Sequence, residues 1–378
     1  MFDYLTLKFA WWILVGVLLI GFTIMDGHDM GVGTLLPFLG RDDTDRRVMI
    51  NTVAPHWDGN QVWFITAGGA IFAAWPFVYA TAFSGLYWAL LLVLFALFFR
   101  PVGFEYRSKL QDPRWRRLWD GGLVVGSAVP ALVFGVAFGN LFLGVPFRFD
   151  DSLRAYYDGS FWALLNPFAL LCGVVSLSAI ALQGATFLSH RTDGQVQARA
   201  VRAVSISAVV MMAAFSVAGV VVWRMHGYAV TQIPDIGSVL NPLMKTVARE
   251  PGAWLANYRQ IPVLWLIPAL AYVGAIAAIL SARRGRTMTA FVASSLVCAA
   301  VILTAGVGLF PFVLPSSIEP SMSLTAWDAV SSRITLEVML WVTLIFTPLM
   351  LAYTAWAYRV MGGKVTRAYI AENSKSLY

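Results

Sequence analysis

The chain has 378 residues, of which 59% are hydrophobic and 12% are charged, and its mean hydropathy is +0.70. This composition excludes an ordinary soluble globule, in which about half of the residues are apolar. A formal charge of +7 would suit nucleic acid in a soluble chain, but basic residues in a membrane protein usually fix its orientation. We therefore predict a polytopic membrane protein that binds no nucleic acid.

Nine segments are apolar for about the 20 residues that a membrane span needs. The first is predicted to be a retained span, because its start lacks the positive charge and cleavage pattern of a signal peptide. The fold class is thus an all-α polytopic membrane protein with nine transmembrane helices. These are predicted at residues 8–26, 50–74, 76–99, 121–144, 162–189, 201–223, 260–281, 288–311 and 335–358.

The chain is predicted to be a single membrane domain. The first eight spans suit two four-helix bundles, at about residues 1–144 and 162–311, with a peripheral ninth helix at 335–358 and a tail at 359–378. Most of the 27 Lys and Arg residues fall in the loops on the same side as the tail. Because positive charge is enriched in cytoplasmic loops, we expect a periplasmic N-terminus and a cytoplasmic C-terminus.

The second predicted span opens with the polar stretch APHWDGNQVW, residues 54–63. Within the hydrocarbon of a membrane, a histidine, an acid and two amides are stable only where protein or trapped water forms hydrogen bonds with them. Asp58 is the carboxylate inside this span, and Arg100 is its predicted partner. We expect this helix to be walled by other helices or by another subunit.

Further ionisable residues are predicted on the same, cytoplasmic side. We interpret the set as a proton uptake route that leads inward to Asp58, although helix-end charges of this kind also serve as orientation signals. The route consists of Asp29, Asp58, Arg100, Glu105, Lys109 and Asp120, with Asp26 beside it.

Haem and metal ligands are not predicted in this chain. Of the four histidines, His28, His56, His190 and His226, only His56 is clearly inside a predicted span, so a bis-histidine haem is not favoured. Cys172 and Cys298 fall in apolar runs without metal-ligand spacing, and we expect inert packing residues.

Several stretches closely resemble subunit II of cytochrome bd-type ubiquinol oxidases, and they occur in the family's order along nearly the whole chain. They are WWILVGVLLIGF, MDGHDMGVG, APHWDGNQVW, AGGAIFAAWP, FFRPVGFEYRSK, GVAFGNLFLGVPF, FPFVLPSS, SLTAWD and the ending NSKSLY. The resemblance implies a subunit of a bacterial inner-membrane respiratory oxidase that oxidises quinol and reduces oxygen to water. Oxygen reduction would draw cytoplasmic protons, which separates charge without a pump.

In this family the two haems b, the haem d and the quinol-oxidising loop belong to subunit I. The resemblance therefore implies a heterodimer in which this chain holds no catalytic residue or haem ligand. Its implied roles are assembly and the access of protons and oxygen to haem d. A small single-span accessory subunit is also implied.

Two interpretations of the polar stretch stay open. One is the proton route to Asp58, and the other is a structural ubiquinone held by Trp57, Asp58, Gln61 and Arg100, since ring oxygens accept hydrogen bonds and an indole packs on the ring. Trp63 could line an oxygen path, although a packed indole is the commoner role.

Two positions depart from the family pattern. His28 stands where an aromatic residue is common, and Glu105 stands where an aspartate is expected. Outside the family, the intramembrane acids would also suit a proton-coupled secondary transporter. A purely structural membrane subunit is the third alternative.

Overall fold

The computed structural model describes residues 2–373, 377 and 378, and helices dominate these residues. The helices are α1 (Tyr4–Leu39), α2 (Asp43–Val53), α3 (Trp57–Ala74), α4 (Pro76–Gly85), α5 (Tyr87–Tyr106), α6 (Pro113–Leu143), α7 (Pro167–Arg191), α8 (Gly194–Arg224), α9 (Ala256–Gln260), α10 (Leu266–Arg283), α11 (Thr287–Leu309), α12 (Arg333–Val360) and α13 (Arg367–Glu372). The strands are β1 (Phe147–Phe149), β2 (Ala155–Tyr157), β3 (His226–Gln232), β4 (Thr246–Pro251), β5 (Phe312–Leu314) and β6 (Leu324–Thr325).

Within the described part of the chain, eight helices are long and apolar enough to cross a membrane, and the bent pair α3 and α4 brings the number to as many as nine. The predicted class, an all-α polytopic membrane protein, is confirmed. The strands form three separate antiparallel hairpins, β1 with β2, β3 with β4 and β5 with β6, in the connections between helices.

Three predicted helix boundaries are wrong. The first helix continues to Leu39 instead of ending at residue 26, because its polar residues find partners on neighbouring helices. The second span is interrupted before Trp57, since Pro55 has no N–H with which to continue the helical hydrogen bonds. The third is divided at Leu86 into α4 and α5.

The break predicted at Trp75-Pro76 is confirmed. The axes of α3 and α4 differ in direction by 119° across it. Pro76 is the first residue of α4, where a missing N–H costs no hydrogen bond. The chain therefore reverses at this point, and α5 returns toward the end of the molecule at which α3 began.

Helix α1 is central to the packing, since it contacts α3, α6, α7, α11 and α12. It passes close to α7 at Gly31 and Gly184, where an added Cβ on Gly31 would lie 2.2 Å from the Ile180 carbonyl oxygen. Only glycine fits such a crossing. The division into two four-helix bundles stays a prediction.

The two ends of the helix assembly differ in structure. The Phe2 face is the end where Arg333 donates a hydrogen bond to the backbone oxygen of Phe2, at 2.7 Å, and it includes the hairpins. The Tyr378 face is the opposite end, where Arg47 Nε donates to the backbone oxygen of Tyr378 at 3.1 Å. Helix α1 runs from the first to the second.

Candidate functional site

Three polar residues of α1 are buried in its half nearest the Tyr378 face. Asp26, His28 and Asp29 expose 2%, 0% and 1% of their surface. A charge removed from water needs a partner or a counter-charge. Each of these side chains therefore shows which neighbours the site is built from.

Asp26 pairs with Arg100 of α5. Arg100 Nη1 donates to Asp26 Oδ2 at 3.0 Å and Nη2 donates to Oδ1 at 2.5 Å, with both side chains buried. This two-point geometry is the strong form of an arginine–carboxylate contact. The guanidinium also lies 5.7 Å from the ring centre of Trp57, which packs on Phe104.

The predicted partnership of Asp58 and Arg100 is therefore not what the structure shows. Asp58 is in the first turn of α3 and is exposed, while both terminal nitrogens of Arg100 are taken by Asp26. The physical reason is that α1 continues as a helix beyond residue 26, which brings the Asp26 carboxylate beside α5.

Asp29 is the centre of a second buried group. Asn60 Nδ2 donates to Asp29 Oδ2 at 2.7 Å. His28 Nε2 lies 3.3 Å and His56 Nδ1 lies 3.8 Å from Asp29 Oδ1. The Tyr358 hydroxyl of α12 lies 2.9 Å from Asn60 Oδ1 and so joins the same group.

Asp58 occupies a different face of α3 from Asn60. The residues at its helical spacing along the helix, Val62, Ile65 and Phe72, expose 43%, 69% and 59% of their surface. This face is apolar apart from Asp58 and is not covered by another helix of the described chain. Asp58 therefore lies at one end of an uncovered apolar stripe.

Asp120 is buried at the Tyr378 face and held by two arginines. Arg107 Nε donates to its Oδ1 at 2.5 Å and Arg46 Nη1 donates to its Oδ2 at 2.7 Å. Arg107 also contacts Asp43 at 3.0 Å. The Asp120 carboxylate and its two arginines therefore hold α2, the end of α5 and α6 together.

A second ion group at this face joins α2 to α8 and α13. Arg199 Nη2 donates to Asp45 Oδ2 at 2.5 Å, and Arg367 Nη2 donates to Asp45 Oδ1 at 2.5 Å. Arg367 also pairs with Asp42. The Tyr378 face is thus closed by ion pairs between helices that are distant in sequence.

Glu105 and Lys109 are both exposed near the end of α5. The Tyr378 hydroxyl is hydrogen-bonded to Glu105, and the pKa of Tyr378 is raised above its usual value, first by burial and then by the Glu105 charge. These two predicted route residues are therefore at the surface, separated from the buried group around Asp29.

Gln61 is half-buried and Trp63 is buried at 8% exposure. A Cβ added to Gly21 of α1 would lie 2.4 Å from the Trp63 ring, so the indole fills the space that this glycine leaves. Trp63 is a packed residue of the α1–α3 contact, and its role in an oxygen path stays a prediction.

Two contributors were missed by the sequence reasoning. Asp26 was placed beside the route and not identified as the partner of Arg100, and Tyr358 was assigned to a peripheral helix. Both could have been suspected, because a polar residue inside an apolar run needs a partner. Nothing in the sequence states which partner, since Arg100 lies 74 positions from Asp26.

His28 and His56 do not fit a haem. Their ring centres are 5.6 Å apart, and the space at their facing nitrogens holds Asp29 Oδ1 and the Tyr358 hydroxyl, each within 3.8 Å of both rings' nitrogens. A porphyrin plane between the rings would collide with these groups. His190 instead contacts Thr287 at 3.1 Å.

Comparison with known proteins identifies relatives along the whole chain. The family described as cytochrome bd terminal oxidase subunit II matches residues 7–361. The chain is 56% identical over 379 residues to cytochrome bd-I ubiquinol oxidase subunit 2 of Escherichia coli strain K12, with 100% of both chains covered. It is 52% identical over 378 residues to the probable cytochrome oxidase subunit 2 of Haemophilus influenzae, again with 100% of both covered.

A solved structure shows the same fold. The bd oxidase from Geobacillus thermodenitrificans includes a chain that superposes with a TM-score of 0.68 at 13% identity, covering 94% of this chain and 98% of that chain. At this identity the similarity concerns the arrangement of helices and not the individual side chains.

Proposed function

The chain belongs to the cytochrome bd terminal oxidase subunit II family, and we propose that it conducts protons from the cytoplasm to the oxygen-reducing partner, subunit I. Membership makes it a multi-pass inner-membrane subunit of a haem-containing respiratory oxidoreductase, and it sets the transporter alternative aside. The proposed complex oxidises quinol, as the name of the Escherichia coli relative states for that protein, and reduces oxygen to water.

The exposed position of Asp58 carries the proposal. A carboxylate at the end of an otherwise apolar, uncovered face of a membrane helix is stable only where protein or water covers it. We expect subunit I to pack against this face, so Asp58 would lie at the interface between the two chains. A proton acceptor at that contact can pass protons from this chain to the partner.

Other ionisable residues supply the approach to Asp58. Glu105, Lys109 and Asp120 lie at or near the Tyr378 face, and Asp29 lies deeper in the helix assembly. We assign the Tyr378 face to the cytoplasm, in line with the excess of basic residues in its loops. Protons consumed from that side, with no pump, make the reaction electrogenic.

The haems are assigned to the partner. Two haems b and one haem d would lie in subunit I, and the crowding of His28 and His56 by Asp29 and Tyr358 supports this assignment. This chain then contributes assembly and substrate access, without a catalytic residue of its own. A small single-span accessory subunit completes the proposed complex.

A bound ubiquinone is the second proposal for the polar stretch. An apolar cavity of about 1250 Å³ extends between α1, α6, α7, α8 and α11 and is bordered by Thr23 and Phe64. It is large enough for an isoprenoid tail. The head would contact Trp57, Asp58 and Gln61, which do not line this cavity, whereas Arg100 has only its Nε without a hydrogen-bond partner among the described residues.

The proton assignment is tested with the purified complex in proteoliposomes. Asp58→Asn should lower both quinol-driven oxygen consumption and the membrane potential by about tenfold or more, because it removes a proton-transfer group. Asp151→Asn, at an exposed turn of the Phe2 face, is the matched control. If Asp58→Asn keeps full oxygen consumption and full membrane potential, the proton assignment is wrong and a purely structural role for this chain is favoured.

Ubiquinone occupancy is tested separately by solvent extraction and chromatography of the same preparations. The second proposal expects a quinone that co-purifies with the complex and is lost in Trp57→Ala. Unchanged quinone content in that variant would exclude the Trp57 site.

A further inference from the structure

Four donor atoms from three helices converge at the buried group around Asp29. His28 Nε2 lies 3.3 Å from Asp29 Oδ1. The Tyr358 hydroxyl lies 3.3 Å from His28 Nε2 and 3.4 Å from His56 Nδ1. His56 Nδ1 and Asp29 Oδ1 are 3.8 Å apart.

These four separations can be compared with four of the six edges of a metal-centred tetrahedron. Ligand bonds of about 2.0–2.1 Å, as zinc makes to histidine nitrogen and carboxylate oxygen, place neighbouring ligands about 3.3–3.4 Å apart. Three of the four distances fall in that range, and the fourth needs a movement of about 0.4 Å. The three protein ligands His28, Asp29 and His56 have their donor atoms within 4.8 Å of one another.

The ring of His28 is set to offer a lone pair to this centre. Its Nδ1 lies 3.0 Å from the backbone oxygen of Ile24, which can only accept a hydrogen bond, so the neutral ring carries its proton on Nδ1. The same arrangement orients most metal-binding histidines. Phe187 packs on the ring with its centre 4.2 Å away and fixes the plane.

Asp29 is oriented in the same way. Asn60 Nδ2 donates to its Oδ2 at 2.7 Å and leaves Oδ1 directed at the two histidines. Among the described residues Oδ1 has no hydrogen-bond donor. A buried carboxylate oxygen without a donor costs free energy that a cation would offset.

While Asp29 is ionised, hydrogen bonds alone do not satisfy the group, although Asn60 Nδ2 lies 2.7 Å from the Tyr358 hydroxyl and 3.3 Å from His56 Nδ1. The Tyr358 hydroxyl has one proton, whereas three acceptors lie around it: His28 Nε2, His56 Nδ1 and Asn60 Oδ1, the last at 2.9 Å. Asp29 Oδ1 then still faces the lone pair of His28. A positive ion would satisfy Asp29 Oδ1, His28 Nε2 and His56 Nδ1 together, while the Tyr358 proton stays on Asn60 Oδ1.

We propose that His28, Asp29, His56 and Tyr358 form a binding site for a divalent transition-metal ion of the zinc type. Two imidazoles and one carboxylate are a common donor set for zinc, and imidazole disfavours magnesium and calcium. Asp26 is already neutralised by Arg100, so Asp29 provides the local negative charge. Such an ion would connect α1, the start of α3 and the end of α12.

The test uses the purified oxidase complex, freed of metal by a chelator and then given zinc chloride. We expect about one zinc per complex after gel filtration, measured by inductively coupled plasma mass spectrometry, and ligand distances of about 2.0–2.1 Å in zinc-edge X-ray absorption. Haem iron does not contribute at that edge. Zinc should also raise the thermal denaturation midpoint of the complex, because it binds only the folded site.

His28→Phe keeps the ring that packs on Phe187 and removes the ligand nitrogen. It should lower zinc affinity by more than about tenfold. The control is His190→Gln, at a half-buried histidine bonded to Thr287, which should bind zinc like the unaltered complex. Unchanged haem spectra would show that each variant is assembled.

Tyr358→Phe removes only one hydroxyl and gives a second measure if His28→Phe fails to assemble. Zinc affinity unchanged in the assembled variants, or no zinc retained by the unaltered complex, would overturn the proposal. The proton-uptake proposal is judged by oxygen consumption in Asp58→Asn, so the two can fail separately.

Discussion

Charged side chains are buried both at the Phe2 face and in the half of the molecule nearest the Tyr378 face, which we call the Tyr378 half. The two regions differ in how fully these side chains are hydrogen-bonded. At the Phe2 face, Lys8 is fully buried and donates to the backbone oxygens of Ile236, Ser238 and Trp327 at 2.8–2.9 Å. In the Tyr378 half, Asp29 Oδ1 and Arg100 Nε lack hydrogen-bond partners among the described residues.

This difference separates two uses of buried charge in one membrane chain. Lys8 connects α1 to two loops, and its ammonium group is saturated, so it is suited to holding the loops in place. A saturated group has little left to bind a ligand or a proton. Asp29 Oδ1, an acceptor without a donor in the Tyr378 half, is where a mobile proton or a metal ion has something to bind.

The largest effect is expected for Arg100→Met. It would leave the Asp26 carboxylate buried without its partner, which costs about 3–5 kcal/mol of folding free energy. We expect little assembled complex in detergent extracts and a much lower denaturation midpoint. Arg114→Met, at an exposed arginine, is the control.

The same variant distinguishes the two possible partners of Arg100. Asp26→Leu added to Arg100→Met should recover most of the assembly, since no charge is then left unpaired. Asp58→Asn added to Arg100→Met should recover none. The reverse result would restore the Asp58–Arg100 pairing that the sequence suggested.

A smaller effect is expected for Lys8→Met at the Phe2 face. The substitution leaves three backbone oxygens without a donor, which should cost about 3 kcal/mol. The complex that does assemble should keep its oxygen consumption per haem, because the loops lie away from the proposed proton route. Lys364→Met, at an exposed lysine, should leave stability unchanged.

If Lys8→Met lowers the oxygen consumption per haem as well as the stability, the proposal that buried charge at the Phe2 face is only structural is contradicted. The measurement is a thermal denaturation curve and an oxygen-electrode rate on the same preparation. Rates normalised to haem separate loss of protein from loss of function.

The smallest effect is expected at Asp42, the N-cap of α2. Burial raises the pKa of Asp42, but hydrogen bonds from the Asp45 backbone and from Arg367 outweigh it and hold the pKa below its usual value. An acid with a depressed folded pKa stabilises above its unfolded pKa, and that stability is lost as pH falls through the folded value.

Asp42→Ala should therefore cost about 1 kcal/mol at neutral pH, since it also removes the cap to the Asp45 N–H at 2.8 Å. Denaturation midpoints of both proteins, compared at neutral pH and near pH 3, check the sign. The difference should shrink at low pH, and a difference that grows would be incompatible with this assignment.

Hydropathy predicted the fold class because a span of about 20 apolar residues is a local property of the sequence. The boundaries at Leu39, Pro55 and Leu86 were missed. The first depends on what neighbouring helices offer, whereas the break at Pro55 is a local effect of proline that the hydropathy of the run concealed. Helix α1 continues through DGHDMGVG because its acids meet Arg100 and Asn60, 74 and 31 positions from them. Motif composition predicted the region in which these polar side chains lie, while the pairing within it required the three-dimensional contacts.

The most direct test of the account is the electrogenic proton uptake of a single turnover. The reduced complex in proteoliposomes is mixed with oxygen, and the membrane voltage is recorded for Asp58→Asn and for Asp328→Asn, whose carboxylate pairs with Lys245 at the Phe2 face at 2.8 Å. The account predicts a voltage phase slowed about tenfold or more in Asp58→Asn and of normal rate in assembled Asp328→Asn. Equal rates in the two variants would contradict it.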